Sequence, residues 1–169
     1  MTFSMYSASV PVFKQILNSL SGILDKAEAH VAAKKIDPAA LLQARLFPDM
    51  FPLTRQVQVA CDFARSVSAR LAGLPVPSNE DKETSFEELQ ALIARTLAFL
   101  DSVKPEQLSG AEERSIVLRP GTPKERTLNG QSYLLNYGLP QFFFHATTAY
   151  ALLRNSGVEL GKRDFMGAY

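Results

Sequence analysis

The chain has 169 residues, of which 46% are hydrophobic and 21% charged, a composition that excludes disordered and collagen-like proteins. Its formal charge of +1 provides no electrostatic basis for binding nucleic acid or an acidic membrane surface. Two histidines cannot form a three-histidine metal site, and one cysteine cannot form an internal disulfide. The length is typical of one domain, so we expect a single domain over residues 1–169.

Targeting signals are the next feature that the sequence can exclude. The first residues do not combine a basic stretch, an apolar core and a small-residue cleavage site, as a signal peptide does. No apolar run approaches the roughly 18 residues of a membrane span. The single cysteine, Cys61, fits a reducing compartment. We therefore expect a cytoplasmic protein without a membrane partner.

The first two thirds of the chain show helical periodicity interrupted by helix-terminating residues. Apolar residues recur every three or four positions over 9–34, which predicts a long first helix. Asp37 is placed to cap a short helix that follows. A second long helix is predicted over 53–71. A third begins at a capping box opened by Ser85 and ends before Pro105.

The remaining third predicts a small hairpin and a last helix. Residues 115–119 and 124–128 have the pattern of two short strands about a turn. An aromatic-rich helix is predicted over 130–156, kinked or split at Pro140, and the tail is expected to fold back over the bundle. The predicted fold is all-α: an antiparallel four-helix up-down bundle with a small β-hairpin before the last helix.

Polar side chains share the inner face of the last helix. Buried histidines are most often neutral and hydrogen-bonded, so a structural role is one interpretation of His145; a polar pocket is the other. If successive helices alternate in direction, a rise of about 1.5 Å per residue places Gln141 and Gln56 at roughly 24–25 Å from one end. His145 then lies about one helical turn nearer to that end than the two glutamines, and His30 about one turn farther from it. The predicted pocket consists of His30, Asp49, Gln56, Gln141, His145 and Thr148.

Several of these features also have simple structural interpretations. Asp49 lies at the mouth of the pocket, but it could only cap the second helix or pair with Arg45. Cys61 could be a reactive thiol activated by Arg65 one turn away, or a small buried core residue, and Asp62 is placed to pair with Arg65. The aromatic run 142–144 exceeds what one helix face can bury in a monomer, which indicates a partner surface or packing by the hairpin and tail.

Three segments carry a resemblance to a known family. They resemble one branch of the DinB-like, YfiT-like superfamily of metalloenzymes. The segments are Arg-Leu-Phe-Pro-Asp-Met-Phe-Pro-Leu-Thr-Arg-Gln-Val-Gln over 45–58, Leu-Pro-Gln-Phe-Phe-Phe-His over 139–145 and Gly-Lys-Arg-Asp-Phe over 161–165. That branch is uncharacterised and is known only as a domain of unknown function. The resemblance covers nearly the whole chain.

The resemblance implies a divalent metal site. Members of the superfamily bind a metal through one histidine of the second helix and an H-x-x-x-H pair of the fourth, and some are thiol-dependent S-transferases. It places His145 at the final histidine, Gln141 at the first histidine of the pair and Gln56 at the position on the second helix. Neutral amide oxygens are poor ligands for zinc or nickel, so the implied site is degenerate here.

Two functional hypotheses follow. The first is a bundle with a degenerate metal site that serves as a small-molecule-binding protein or a dimeric scaffold; the homodimer is an expectation from the superfamily. The alternative is a transferase or hydrolase, similar to the thiol S-transferases, that uses a divalent metal (Zn or Ni) held by His145, Gln141 and Gln56. Neither hypothesis involves nucleic acid.

Overall fold

A computed structural model describes residues 4–168 as a helical bundle with one hairpin. The long helices of the first two thirds are α1 (Val10–Lys34), α3 (Leu53–Ala72) and α4 (Phe86–Ser102), and a short α2 (Pro38–Leu42) joins the first two. Two short 3₁₀ turns, Pro105–Leu108 and Ala111–Glu113, precede the strands. The all-α class and the hairpin before the last helix are confirmed.

Capping side chains define where the helices begin, as their sequences predict. The Asp37 carboxylate accepts a hydrogen bond from the Ala39 amide at 2.9 Å, at the start of α2. At α4, the Ser85 hydroxyl accepts from the Glu88 amide at 3.1 Å. The Glu88 carboxylate accepts from the Thr84 amide at 2.6 Å, one residue earlier than the predicted capping box requires.

The hairpin and the last helix follow one another directly. Strands β1 (Ser115–Leu118) and β2 (Arg126–Asn129) are antiparallel, with Ile116 opposite Leu128. The last helix then runs from α5 (Gly130–Ser132) through a π-helical segment (Tyr133–Gly138) into α6 (Leu139–Asn155). A proline inside an α-helix clashes with the preceding turn, and the wider π turn ahead of Pro140 relieves that clash without ending the helix.

The helix directions differ from the strict alternation that we expected. Gln58, near the start of α3, donates to Glu83, just before the start of α4, at 2.9 Å, so α3 and α4 run parallel. Lys14 at the start of α1 pairs with Asp101 at the end of α4, so these two helices are antiparallel. The last helix runs antiparallel to α3, because Arg70 near the end of α3 contacts Tyr133 and Gln56 near its start contacts His145. The order is therefore up-down-down-up. Residues 74–85 permit it, because twelve extended residues reach about 40 Å, whereas the twenty residues of α3 span about 30 Å.

The core lies between the four long helices, and the tail closes one side of it. Phe13 of α1 meets Phe142 of α6 edge-to-face at 4.8 Å, and both rings are buried. The short α7 (Lys162–Met166) packs on α1, where the Gln15 amide donates to the Met166 carbonyl at 2.8 Å, so the predicted return of the tail is confirmed. Within residues 4–168, no helix has the length and apolarity that a bilayer crossing demands.

Candidate functional site

A hydrogen bond between α3 and α6 forms the centre of the candidate site. Nδ1 of His145 lies 2.7 Å from Oε1 of Gln56, and both side chains are buried, at 8% and 1% exposure. The two helices run antiparallel here, since Arg70 near the end of α3 donates to the hydroxyl of Tyr133, twelve residues before His145, at 3.2 Å. The pairing of Gln56 with His145 is thus a direct contact between the helices.

The orientation of Gln56 determines the tautomer of His145. The Gln56 amide nitrogen donates to the Phe51 carbonyl at 3.1 Å, which leaves its amide oxygen facing the imidazole. An amide oxygen can only accept, so Nδ1 of His145 carries the proton. Nε2 of the neutral ring is then the unprotonated nitrogen. Among the described residues, none hydrogen-bonds to it, and it is not one of the buried polar atoms that lack a partner, so it retains contact with solvent.

Three phenylalanines surround the imidazole. Phe63 of α3 stacks on it with ring centroids 6.1 Å apart and planes 12° apart, and Phe51 stacks at 6.4 Å and 23°. Phe144 meets it edge-on at 5.1 Å. Phe63 lies seven residues after Gln56, on the same face of α3, so helical spacing could have identified it; Phe51 lies in a loop, where no periodicity applies.

Burial lowers the pKa of His145 below its ordinary value of 6.5, and the positive charge of Arg55 lowers it further. Arg55 lies with its guanidinium 5.9 Å from the centre of the Phe51 ring and pairs with Asp81, which keeps its charge close to the imidazole. Both causes favour the neutral form. His145 therefore presents a hydrogen-bond acceptor, not a cation, at neutral pH.

The other predicted pocket residues are only partly brought together. Thr148 is buried one turn from His145, with its hydroxyl donating to the Phe144 carbonyl at 2.7 Å. Gln141 is half-buried one turn before His145, and none of the hydrogen bonds among residues 4–168 involves its side chain.

His30 and Asp49 lie apart from the centre. His30 lies beside Gly157 in a separate cleft of about 470 Å³ that Lys26 and Lys34 also line. That cleft is about 18 Å along α6 from His145, at 1.5 Å per residue. Asp49 is exposed in the loop before α3. The Arg45 side chain does not pair with Asp49 but donates to the Met50 carbonyl.

Two other polar features of α3 have structural roles. Cys61 is fully buried, and burial raises the pKa of its thiol to about 12, so it is a core residue, as one interpretation held. The expected Asp62–Arg65 ion pair is present. Desolvation raises the pKa of Asp62 above its ordinary value despite the neighbouring arginine.

Comparisons with known proteins identify the family. The family model described as a domain of unknown function (DUF1993) matches residues 5–166. The chain belongs to the DUF1993 family. A crystal structure of a DinB family member protein from Shewanella denitrificans superposes with a TM-score of 0.92 and 39% sequence identity, covering 98% of this chain and 93% of that one. No curated protein matches. The expected DinB-like fold is thus confirmed.

The donor set of this DUF1993 protein does not fit zinc or nickel. Within residues 4–168, no three His, Cys, Asp or Glu side chains lie close enough together to hold a metal ion. Around His145 the nearest groups are phenyl rings and an amide whose oxygen is already bonded to Nδ1. Zinc and nickel favour imidazole, thiolate and carboxylate, and a single imidazole nitrogen does not hold either ion in place.

Proposed function

We propose that this DUF1993 protein binds a small aromatic ligand through the neutral imidazole of His145, without a metal. The observation that supports the proposal is the hydrogen-bond chain from the Phe51 carbonyl through Gln56 to Nδ1. It fixes Nε2 as an acceptor among aromatic rings, and such a group suits a planar ligand that carries one hydroxyl donor. A phenol has this chemistry and stays protonated at neutral pH.

A matched pair of ligands tests this proposal. Phenol and anisole have the same ring, but anisole lacks the O–H that Nε2 would accept. A site built to hydrogen-bond a donor rejects the analogue lacking it, so anisole should bind at least about tenfold more weakly, as measured by NMR titration of untagged protein.

The variant His145→Leu should remove the preference for phenol, and Gln141→Leu, one turn away on the same helix, should retain it. Elemental analysis of the same samples should show no stoichiometric metal. If wild-type protein instead contains one equivalent of zinc or nickel that is lost in His145→Ala, the metal-dependent transferase or hydrolase is the correct hypothesis and this one is wrong.

A second candidate function, a homodimeric scaffold, is supported by an exposed aromatic surface beside the site. This aromatic patch consists of Phe51, Phe144 and Phe47, which precedes Phe51 by four residues in the same loop; the three residues are 49%, 56% and 65% exposed. Phe51 and Phe144 both contact the His145 ring, so the patch borders the site directly. Exposed aromatic residues beside one another in the fold, as Phe51 and Phe144 are around His145, are typical of surfaces that another protein covers.

Light scattering after size-exclusion chromatography tests the dimer. Wild-type protein should have the mass of two chains, and the double variant Phe47→Ser/Phe144→Ser should have the mass of one with an unchanged helical circular dichroism spectrum. The matched control is Leu135→Ser, an exposed apolar residue in the π-helical segment. A wild-type monomer at all concentrations would exclude the scaffold. In either state, we infer that the chain acts as one domain in the cytoplasm.

A further inference from the structure

A further cleft lies beside Phe63, one of the rings that stack on His145. It encloses about 380 Å³ between α3, the loop before α4, the end of β1 and the π-helical segment. This volume falls within the range of small-molecule sites in proteins. His145 itself does not line this cleft.

Aromatic rings form one wall of the cleft. Phe63 meets Tyr137 edge-on with centroids 5.8 Å apart, and Tyr137 stacks on the buried Tyr133 at 5.8 Å. Both tyrosines belong to the π-helical segment, a rare conformation that often marks functional sites. The segment approaches α3 closely, since a Cβ on Gly138 would lie 2.7 Å from a methyl group of Val67.

Two arginines give the cleft an excess of positive charge. Arg70 and Arg119 line it, and among the ion pairs of the described residues neither has a carboxylate partner. Arg70 donates only to the Tyr133 hydroxyl, at 3.2 Å. The one acidic lining residue, Asp62, is already paired with the buried Arg65. An anion in the cleft could therefore accept hydrogen bonds from N–H groups of both arginines.

The backbone at Arg119 adds an independent observation. This residue has a φ of +51°, in the left-handed region that favours glycine, at the turn of the hairpin. Glycine would relieve the conformation, yet the position carries a long cation at the edge of the cleft. Unfavourable backbone conformations of this kind concentrate at ligand sites.

We propose that this cleft binds a small aromatic carboxylate. The aromatic ring lies against Phe63 and Tyr137, and the carboxylate accepts hydrogen bonds from the guanidinium groups of Arg70 and Arg119. Arginine matches a planar carboxylate with two parallel N–H donors, which a neutral ligand cannot use equally well. The cleft shares the Phe63 ring with the site proposed around His145, but the groups that bind the anion, Arg70 and Arg119, are not part of that site.

Benzoate and benzamide are the probes, because they differ only in the anionic group. NMR titration of the full chain should show saturable benzoate binding at millimolar concentration or below, with shifts at Tyr137. Benzamide should bind at least about tenfold more weakly, the ratio expected for loss of a charge-assisted hydrogen bond. Equal binding of the two probes, or no saturable benzoate binding, overturns the proposal.

Arginine variants locate the site. Arg119→Gly should weaken benzoate binding about tenfold without lowering the melting temperature, since glycine accepts the positive φ. Arg70→Gln should weaken it similarly. The control Arg154→Gln removes the same charge from the exposed end of α6, roughly 25 Å along the helix from Tyr137, and should change the affinity less than about twofold, because an exposed distant charge is screened by salt. If both cleft variants bind benzoate like the wild type, the assignment is wrong. His145→Leu should leave benzoate binding intact, so failure of the phenol site would be seen separately.

Discussion

Replacing Gln56 with leucine tests the central hydrogen-bond chain most directly. Gln56→Leu keeps the size of a buried side chain but removes both of its hydrogen bonds. The buried Nδ1–H of His145 then lacks a partner, which costs about 1–3 kcal/mol. The carbonyl of Phe51 belongs to a half-exposed residue and can hydrogen-bond to water instead, so loss of its hydrogen bond to Gln56 adds only about 0.5–1.5 kcal/mol. We expect the free energy of unfolding to fall by about 2–4 kcal/mol.

Urea denaturation followed by circular dichroism measures that change, and the melting temperature should fall by roughly 5–15 °C for a chain of this size. The matched control is Gln141→Leu, where the same residue type makes no hydrogen bond within the described chain; it should change the stability by less than about 0.5 kcal/mol.

A double variant separates the interaction from simple packing. His145→Leu/Gln56→Leu replaces both partners by apolar groups, so it should be no less stable than Gln56→Leu alone. If Gln56→Leu and Gln141→Leu are equally stable, the hydrogen-bond chain does not hold the site together and the tautomer assignment fails.

Three further predictions concern protonation, the buried thiol and close packing. Because the pKa of His145 is lowered from 6.5 in the folded state, the unfolded chain binds a proton at a higher pH than the folded chain. The unfolding free energy should therefore fall as the pH drops through 6.5. Denaturation at several pH values should show a smaller fall in His145→Gln. With its pKa raised to about 12, Cys61 should react with a thiol reagent only after unfolding. In Gly130→Ala, the added Cβ would lie 1.8 Å from the Ala111 carbonyl oxygen, so the melting temperature should fall sharply. Gly22→Ala has open space and should raise stability by about 0.5–1 kcal/mol, and equal melting temperatures for the two alanine variants would contradict the packing explanation.

Local chemistry made the helix boundaries predictable. Capping residues such as Asp37 and Ser85 act within three positions along the chain, and the apolar repeat of α1 reports which face is buried whatever covers it. The last helix was predicted to kink or split at Pro140, whereas it continues through a π-helical segment that ends two residues before the proline. At Gly138 this segment also lies so close to α3 that a Cβ would be 2.7 Å from a methyl group of Val67, a tertiary contact that no pattern along the chain shows.

The direction of the helices depends on chain length between them, not on the helices themselves. Short links force neighbours to be antiparallel, and we applied that rule to residues 74–85, which are long enough to cross the whole bundle. The network between Arg55 and Asp81, and between Gln58 and Glu83, fastens this segment along α3. These pairs join residues that are more than twenty positions apart, so no local pattern in the sequence predicts them.

The reversed direction of α6 explains which predicted site residues meet. With α3 and α6 parallel, Gln141 would stand level with Gln56, and His145 one turn away. Because they are antiparallel, His145 itself reaches Gln56, and Gln141 is displaced by about 6 Å towards the other end of the bundle. The same reversal carries the end of α6 to His30, which therefore lies beside Gly157 instead of in the pocket. One helix direction thus separates the two histidines and leaves His145 with an amide partner and three aromatic neighbours.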